Sequence, residues 1–408
     1  MKNFYSLTVF FSLFFFAAIA QDGNPQIVPG EYIVTLKEAF ITPLLLDFPD
    51  ASDDRQARFQ QTDRLRQQKL AQLRQFRKSL GITDENTLFE SVDAVVAFAA
   101  KLNDQQVKNL QMANNVEQID NNFTFQLEAP IEEPNETENA LAQITPCAIT
   151  NAGGMQDASG KLTYIWIMDT GIDLDHPDLN VVTDQAYAKS FISGETVEDG
   201  NGHGTHVAGI AAAKNNGIGM VGVSAGAKVV PLKVMSNAGG GSSIGVVSAL
   251  NHIAQMYNYN DVVNMSFAAP GGNNCQNVNV AYRNAVRNLG IKGVWVCAAA
   301  GNDRCDASKV RPACINGTRI FTVGSMTCAK KCASTSNWSS DVVDWVATGE
   351  KVYSTHKNGT YKTLSGTSMA TPVVAGICHS AAGPPVSAGT IKCGNNCVPA
   401  ADYHIAKR

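Results

Sequence analysis

Apolar runs of strand length recur along the C-terminal two thirds of the chain and alternate with segments of helical periodicity. Continuous apolar strands that alternate with helices are typical of a parallel sheet covered on both faces. We therefore predict an α/β fold, with the active site beyond the carboxyl ends of the strands. The strand-like runs lie at 164–168, 229–235, 262–267, 294–300, 320–323 and 342–347, and helical patterns lie at 206–213, 243–257 and 278–289.

The first third of the chain has a different pattern. A polar stretch from about 55 to 80 carries spaced leucines among its charges and predicts a mostly solvated helix. The other predicted elements are strands at Tyr32–Leu36, within Val92–Leu102 and near Val116–Phe125, and a helix near Asp104–Met112. Together they predict a small α+β, ferredoxin-like domain over residues 31–127. An exposed, proline- and glutamate-rich linker follows over 128–145, before a larger domain over 146–408.

Composition separates the same two regions and excludes several functions. Of the 408 residues 44% are hydrophobic and 17% charged, and the net charge is -4. That charge is too small for a nucleic-acid footprint or a polybasic membrane anchor. We expect a monomer that binds neither nucleic acid nor a membrane. All 10 Cys lie beyond residue 130, in the region that the apolar strands occupy.

The N-terminus has the form of a secretory signal. Met1-Lys2 precedes an apolar run that ends in Ala18-Ile19-Ala20. A basic start, a short apolar core and an Ala-x-Ala end predict a cleaved signal over residues 1–20 and a secreted protein. A membrane anchor is the alternative, but the run is short for a span. Secretion also makes N-glycosylation possible at the sequons Asn122, Asn135, Asn316, Asn337 and Asn358, whereas Asn264 lies in a strand-like run.

The cysteines are predicted to form disulfides, because a secreted chain enters an oxidising space. Three residues separate Cys328 from Cys332, and three residues separate Cys393 from Cys397. Two such pairs can also supply a four-thiolate zinc site, which is the alternative. Spacing does not determine which cysteines pair.

Candidate catalytic residues stand where predicted strands end or helices begin. Asp169 follows the strand 164–168, His206 lies in a segment that opens a helix, and Ser368 opens another helix. Taken singly, each residue type is more often a turn or helix cap. Taken together, Asp, His and Ser in this chain order on an α/β sheet match the order of the subtilisin triad.

Each of these residues has a chemical role. A serine hydroxyl becomes a nucleophile when a base removes its proton, and we assign that base to His206. Asp169 would fix the imidazole tautomer and stabilise the imidazolium. Asn302, after the strand 294–300, is the expected side-chain donor to the oxyanion, together with the backbone N–H of Ser368.

The motifs around these residues resemble the three signatures of subtilisin-like serine proteases, in particular the proteinase K branch. They read Asp169-Thr170-Gly171, His203-Gly204-Thr205-His206 and Gly366-Thr367-Ser368-Met369-Ala370, and Ala299-Ala300-Gly301-Asn302 resembles the oxyanion segment. The resemblance runs from about 140 to the C-terminus. Residues 31–127 resemble the family's inhibitory propeptide more loosely. This implies a propeptide that assists folding and blocks the cleft until self-cleavage between about 121 and 145.

The resemblance also implies a substrate cleft in which a peptide binds as an added strand. The implied substrate-binding residues are Gly239, Gly240, Gly241, Ser266, Phe267, Ala268, Ala299, Ala300 and Gly301. The chain departs from the family at Ala268-Ala269-Pro270, where two glycines are usual, and the added methyl groups would narrow the first pocket. The acidic residue near Thr327 that serves a calcium site in the proteinase K branch is missing. We expect no cofactor or metal in catalysis, and the sequence does not support a structural calcium site.

The sequence therefore predicts a secreted serine endopeptidase that is made as a zymogen and acts on polypeptides, with its own propeptide as an intramolecular inhibitor. One alternative is a catalytically impaired homologue that binds peptides or a protein partner, motivated by Ala268-Ala269-Pro270. Another is that residues 31–127 act as a free protease inhibitor.

Overall fold

The structure is a computed structural model that describes residues 25–44, 54–133, 142–270 and 279–408. The predicted signal segment lies outside these ranges, as do residues 134–141 of the predicted linker, including the sequon at Asn135. Two folded units are present, and they are described in turn.

The N-terminal unit is an antiparallel sheet with two helices on its outer face. Its strands are arranged in the order β4-β1-β3-β2. The chain order is βαββαβ, so the predicted ferredoxin-like arrangement is confirmed. Asp54 caps the long first helix by accepting hydrogen bonds from the N–H groups of Gln56 and Ala57. The elements are β1 (Gln26–Leu36), α1 (Arg55–Ser79), β2 (Thr87–Ser91), β3 (Ala97–Lys101), α2 (Asp104–Met112) and β4 (Val116–Gln126).

The C-terminal unit contains a large, mostly parallel sheet, which confirms the predicted α/β fold. Its main strand order is β21-β22-β18-β17-β15-β13-β7-β11-β8. The elements after β4 are β5 (Ile131–Glu132), α3 (Cys147–Asn151), β6 (Gln156–Asp157), β7 (Tyr164–Asp169), β8 (Asn180–Val181), β9 (Lys189–Ser190), α4 (His203–Ala212), β10 (Ser224–Ala225), β11 (Lys228–Lys233), β12 (Gly240–Ser242), α5 (Ser243–Met256), β13 (Val262–Met265), β14 (Ala269–Pro270), α6 (Val280–Ile291), β15 (Trp295–Ala299), β16 (Val310–Arg311), β17 (Ile320–Met326), β18 (Val343–Thr348), β19 (Val352–His356), β20 (Thr360–Ser365), α7 (Thr367–Ala381), β21 (Val386–Cys393) and β22 (Ala401–Lys407).

Strand β7 shows how the sheet is covered on both faces. Ile165 and Ile167 pack in one apolar core with α4 and α7. Trp166 and Met168 pack in another core with α5 and α6. Successive side chains of a strand point to opposite faces, so a strand with helices on both sides is apolar at every position. Helix α4 is buried along its whole length, which is the reason that its sequence lacks a polar stripe.

The core between the sheet and helices α5 and α6 extends into the N-terminal unit. Ile33, Ala99 and Phe123 of that unit belong to the same buried cluster as residues of α5 and α6. Strand β12 also pairs antiparallel with β4, with Gly241 opposite Phe125. The sheet of the N-terminal unit therefore has a fifth strand that comes from the C-terminal unit.

Disulfides connect distant parts of the C-terminal unit. Cys147 is bonded to Cys328, and Cys332 is bonded to Cys393. The zinc alternative is wrong, because Cys328 and Cys332 have different disulfide partners and are not free to bind a metal. Cys305 and Cys397 are free thiols whose sulfur atoms lie 2.7 Å apart. The hairpin of β21 and β22 is thus attached to the rest of the unit by Cys393.

The sequons differ in burial. Asn264 and Asn337 are fully buried, and Asn122 is only 3% exposed. Asn316 and Asn358 lie at the surface. Glycans on this fold can therefore be accommodated at Asn316 and Asn358 but not at the three buried positions.

Cys305 and Cys397 should form a further disulfide in an oxidising compartment, because their sulfur atoms are already adjacent. We expect peptide mapping without reduction to find a Cys305–Cys397 link beside the two described disulfides. Alkylation after unfolding without reduction should then leave both residues unlabelled. Labelling of both would contradict this prediction, and the buried thiols Cys297 and Cys378 serve as the positive control.

Candidate active site

Three neighbouring parallel strands end at one edge of the sheet and carry the polar residues of the candidate site there. Strand β13 pairs with β7 on one side and with β15 on the other. Asp169 is the last residue of β7, Ser266 follows β13, and Asn302 follows β15 by three residues. The parallel register therefore brings these residues together, as expected for an α/β sheet.

Asp169 is paired with His203 and not with His206, so the sequence-based assignment of the base is wrong in this structure. The Nδ1 atom of His203 lies 2.7 Å from Oδ1 of Asp169, and both side chains are buried. A proton on Nδ1 is donated to the carboxylate, which leaves Nε2 as the basic nitrogen. Nε2 of His203 has no hydrogen-bond partner within the described parts of the chain.

His206 lies one helical turn deeper in the protein. Helix α4 begins at His203, three residues before its predicted start. Nε2 of His206 is 3.0 Å from the carbonyl oxygen of Lys362, and the residue is fully buried. This burial lowers the pKa of His206 to about 3. His206 is therefore a neutral packing residue that fastens α4 to strand β20.

Asp199 fixes the turn on which the Asp169–His203 pair stands. Its carboxylate accepts hydrogen bonds from Oγ1 of Thr170 at 2.9 Å and from Oγ1 of Thr205 at 2.6 Å. At Gly204 an added Cβ would lie 2.1 Å from the carbonyl oxygen of Gly171, so only glycine allows this close approach. Sequence reasoning gave Asp199 no role, although an Asp followed by Gly200 and Gly202, directly before the histidine motif, was a signal.

Ser368 is the second residue of α7 and bonds to Ser266. Oγ of Ser368 donates to the carbonyl oxygen of Ser266 at 2.8 Å, and Oγ of Ser266 donates to the carbonyl oxygen of Ser368 at 2.9 Å. The sequence predicts that Ser266 binds substrate, and here it holds the candidate nucleophile. Ser368 does not donate to His203 in this arrangement, so a rotation of the Ser368 side chain must precede proton transfer.

The amide of Asn302 is oriented by the start of α7. Its oxygen accepts hydrogen bonds from the N–H of Thr367 at 2.8 Å and from Oγ1 of Thr367 at 3.1 Å. Because the oxygen is taken up in this way, the Nδ2 group points into the cleft. There it donates to Oε2 of Glu128 at 3.2 Å. The expected oxyanion donor is therefore held by a carboxylate of the chain itself.

The segment 124–133, hereafter the tail, runs through the cleft. Thr124, Phe125 and Gln126 pair with β12, and the N–H of Leu127 donates to the carbonyl oxygen of Gly239 at 2.9 Å. Gly239, Gly240 and Gly241 thus form one edge of the path that the tail follows. Beyond Glu128, strand β5 pairs antiparallel with β20, which leads directly to Ser368.

Among the remaining predicted substrate-binding residues, Phe267 contacts the tail. The rings of Phe267 and Phe125 stack with their centroids 5.4 Å apart. Ala268 is nearly buried, and its Cβ would lie 3.5 Å from a Cβ added to Gly301. The methyl group of Ala268 therefore lies close to the backbone of Gly301. Ala299 and Ala300 are fully buried at the end of β15.

Glu128 is in an unfavourable place for a charge. Burial, followed by the neighbouring Asp303 carboxylate, raises the pKa of Glu128 to about 7. The docked tail thus favours the protonated form of Glu128. Protonation of Glu128 stabilises docking of the tail fully below the ordinary glutamate pKa of 4.5. This stabilisation is lost as the pH rises from 4.5 through about 7.

Within the described ranges, no group of three or more His, Cys, Asp or Glu side chains is arranged to hold a metal ion. The expectation that catalysis needs no metal stays a prediction. The same holds for the calcium site near Thr327 that the sequence does not support.

Two family models match the chain in the same order as the two units. The peptidase inhibitor I9 model matches residues 31–128, and the subtilase family model matches residues 160–381. The second match covers more than half of the chain and contains Asp169, His203, Asn302 and Ser368. The chain belongs to the subtilase family. It is a serine protease of that family with an inhibitory propeptide, which the N-terminal unit forms.

Similar subtilases occur in bacteria and fungi. The chain is 38% identical to subtilisin DY of Bacillus licheniformis over 225 residues, covering 54% of this chain and 77% of that protein. It is 33% identical to subtilisin E of Bacillus subtilis over 287 residues, or 69% of each chain. A cuticle-degrading serine protease of Arthrobotrys oligospora is 39% identical over 227 residues, covering 54% of this chain and 52% of that protein.

A solved structure of a cold adapted subtilisin-like serine proteinase also matches. It is 27% identical, with a TM-score of 0.48, and the match covers 69% of this chain and 95% of that chain.

Replacement of the two histidines should distinguish the base from the packing residue. His203→Ala should reduce kcat on the order of 10⁶-fold, as removal of the base does in subtilisin, without loss of the fold. His206→Ala should instead lower the thermal unfolding midpoint, because it deletes a buried group and its bond to Lys362. If the His206→Ala protein is equally stable but inactive, the assignment of the base to His203 is wrong.

The pH profile gives an independent check on the same assignment. Burial acts to lower the pKa of His203, but the Asp169 carboxylate outweighs it and holds this pKa above the usual imidazole value of about 6.5. The rate should therefore fall as the pH drops through that range, since only the neutral imidazole accepts a proton. A rate that persists down to about pH 3 would fit His206 and not His203.

The amide oxygen and the amide N–H donor of Asn302 have different roles, and two variants can separate them. Asn302→Asp keeps an acceptor for Thr367 and removes the N–H donor, so kcat should fall by about 10²–10³-fold, as for a lost oxyanion donor. Asn302→Ala removes both groups and should also lower the thermal unfolding midpoint through loss of the bond to the start of α7. Both variants are measured after processing in trans by wild-type enzyme. Full activity of Asn302→Asp would contradict the oxyanion role.

Proposed function

We propose that the chain is the precursor of a secreted serine endopeptidase that hydrolyses peptide bonds through an acyl-enzyme formed on Ser368. The observation that carries this proposal is the buried Asp169–His203 pair at the same sheet edge as Ser368 and Asn302. An oriented imidazole with one free nitrogen, beside a serine at a helix start, is the arrangement that acyl transfer requires.

The proposed reaction follows from these groups. Oγ of Ser368 attacks the peptide carbonyl carbon while Nε2 of His203 takes its proton. The oxyanion accepts hydrogen bonds from Nδ2 of Asn302 and from the backbone N–H of Ser368, with the N-terminus of α7 adding its dipole. His203 then gives the proton to the leaving amine, and a water molecule, deprotonated by His203, hydrolyses the acyl-enzyme.

We further propose that the precursor cuts itself between Glu128 and Ala129. The tail is held on both sides of Ser368, by β12 up to Leu127 and by β20 from Ile131 onward. Only the peptide bonds between Leu127 and Ile131 can therefore reach Oγ of Ser368. Glu128 is the residue that touches the oxyanion donor. A cut one bond later would make Pro130 the first residue of the leaving group, where its ring crowds the attacked amide.

The proposal includes secretion because residues 1–20 have the features of a cleaved signal. None of the helices in the described ranges is long and apolar enough to cross a membrane. The buried Glu128 also favours release of the propeptide at neutral pH or above. The absence of nucleic-acid and membrane partners and the monomeric state remain expectations from the sequence.

Ser368→Ala should leave a full-length precursor from which only the signal has been removed, since no other residue can form the acyl-enzyme. The active protein should begin at Ala129, as measured by N-terminal sequencing and intact mass. Ser380→Ala, in the last turn of the same helix, is the matched control and should process normally. Cutting of Ser368→Ala at the same bond, in a host without other proteases, would show that self-cleavage is wrong.

The alternative of a catalytically impaired, peptide-binding homologue has one observation in its favour. The Ala268 methyl group faces Gly301 where the family usually has a glycine. A fluorophosphonate probe separates the two functions, because it labels only an activated serine. Labelling at Ser368 after removal of the propeptide is the result expected of an enzyme, and failure to label would favour the binding protein.

A further inference from the structure

A buried arginine of the propeptide enters the protease unit far from the cleft. Arg55 is the first residue of α1 and is only 4% exposed. Its Nη1 lies 2.5 Å from Oδ2 of Asp261, and its Nη2 lies 2.9 Å from Oδ1 of the same carboxylate. Such a two-point contact is the strongest arrangement of this ion pair.

Two carbonyl oxygens and an aromatic ring complete the surroundings of this guanidinium group. Nη1 also donates to the carbonyl oxygen of Met256 at 2.8 Å, and Nη2 donates to that of Leu162 at 3.1 Å. The central carbon of the guanidinium lies 3.9 Å from the centroid of the Tyr164 ring. All of these partners belong to the protease unit. These oxygen acceptors and the aromatic ring match an arginine side chain, because a planar guanidinium presents four directed N–H groups at its edge and a flat face for stacking.

The protease unit holds this set of acceptors in place without help from Arg55. The carboxylate of Asp261 accepts hydrogen bonds from Nε1 of Trp166 at 2.8 Å and from the backbone N–H groups of Tyr164 at 2.9 Å and Asn258 at 3.0 Å. In the precursor, where Arg55 covers it, Asp261 is fully buried. The site is therefore preorganised, and a buried carboxylate at its base requires a cation as its partner.

We propose that the protease unit carries a guanidinium-binding site, formed by Asp261, Tyr164, Met256 and Leu162, that binds an arginine side chain at the sheet edge opposite the catalytic residues. Tyr164 and Asp169 are the two ends of β7, so the site is about 16 Å from the triad carboxylate at 3.3 Å per residue. Arg55 occupies it in the precursor. When the propeptide leaves, the same site becomes open to an arginine of another polypeptide.

The site should discriminate arginine from lysine. A lysine ammonium is a compact point charge without a flat face, so it cannot reach both carboxylate oxygens and both carbonyl oxygens at once. A lysine that lies near the same ring, Lys228, has its Nζ 5.8 Å from the centroid of the Tyr164 ring. This is farther than the guanidinium of Arg55.

Chemical rescue of the full-length precursor tests the proposal. Arg55→Ala is made in the Ser368→Ala background, so that no self-cleavage can occur. Ethylguanidinium and N-acetyl-arginine amide should bind this protein with a saturable calorimetric signal and restore part of its lost thermal unfolding midpoint. Ethylammonium should do neither. Addition of Asp261→Asn to the same protein should abolish binding of both guanidinium compounds.

Arg74→Ala is the matched control on the same helix, since Arg74 is 44% exposed and pairs within the propeptide with Glu90. It should show no saturable ethylguanidinium binding. Absence of binding to the Arg55→Ala protein, or equal binding after Asp261→Asn, would overturn the proposal. If Arg55→Ala does not fold, Arg55→Lys keeps the charge, and its unfolding midpoint should lie below that of the parent. An unchanged midpoint would also overturn the guanidinium site.

Discussion

The parallel pairing of β7, β13 and β15 is the constraint on which the site depends. Parallel strands in register end at the same edge, so Asp169, Ser266 and Asn302 are brought together although they are far apart in sequence. The helices that follow then supply the rest: α4 begins with His203, and α7 begins beside Asn302 with Ser368 as its second residue. Strands β7, β13 and β15 are buried at nearly every position, which fixes how deep each strand lies in the protein and therefore where it ends.

Much of this was predictable from sequence because the relevant signals are local or periodic. The apolar strands, the helices and the residues at the strand ends are all visible in the order of residues. The βαββαβ pattern of the N-terminal unit follows in the same way. Asp169, Asn302 and Ser368 could be selected because each stands directly at an element boundary, where backbone groups and side chains are free for chemistry.

Local and periodic sequence signals did not determine whether His203 or His206 is the base. Both lie in one motif, three residues apart, and a helix places such residues on similar sides but one turn apart in depth. A start at 206 was predicted for the helix, whereas it begins at 203. That small error in a helix boundary changes which imidazole reaches Asp169. Contacts between distant segments, such as Cys332 with Cys393 or Arg55 with Asp261, have no local signal at all.

In the precursor the active site is only partly assembled for reaction. The Asp169–His203 pair is formed, yet Ser368 donates to Ser266, and Nδ2 of Asn302 donates to Glu128. In this state neither the hydroxyl of Ser368 nor Nδ2 of Asn302 is free for its proposed role. A carboxylate on the oxyanion donor blocks that donor directly, so the charge of Glu128 influences both tail docking and the readiness of the site.

The largest apolar core belongs to neither unit alone. Ile33, Ala99 and Phe123 of the propeptide fill one side of it, and α5 and α6 fill the other. Separation exposes both halves to water. The protease unit keeps a second core around α4 and α7, whereas the smaller propeptide keeps only the cluster under its own helices. Folding of a detached propeptide would therefore depend on the smaller of these cores, whereas the protease unit would keep the larger one.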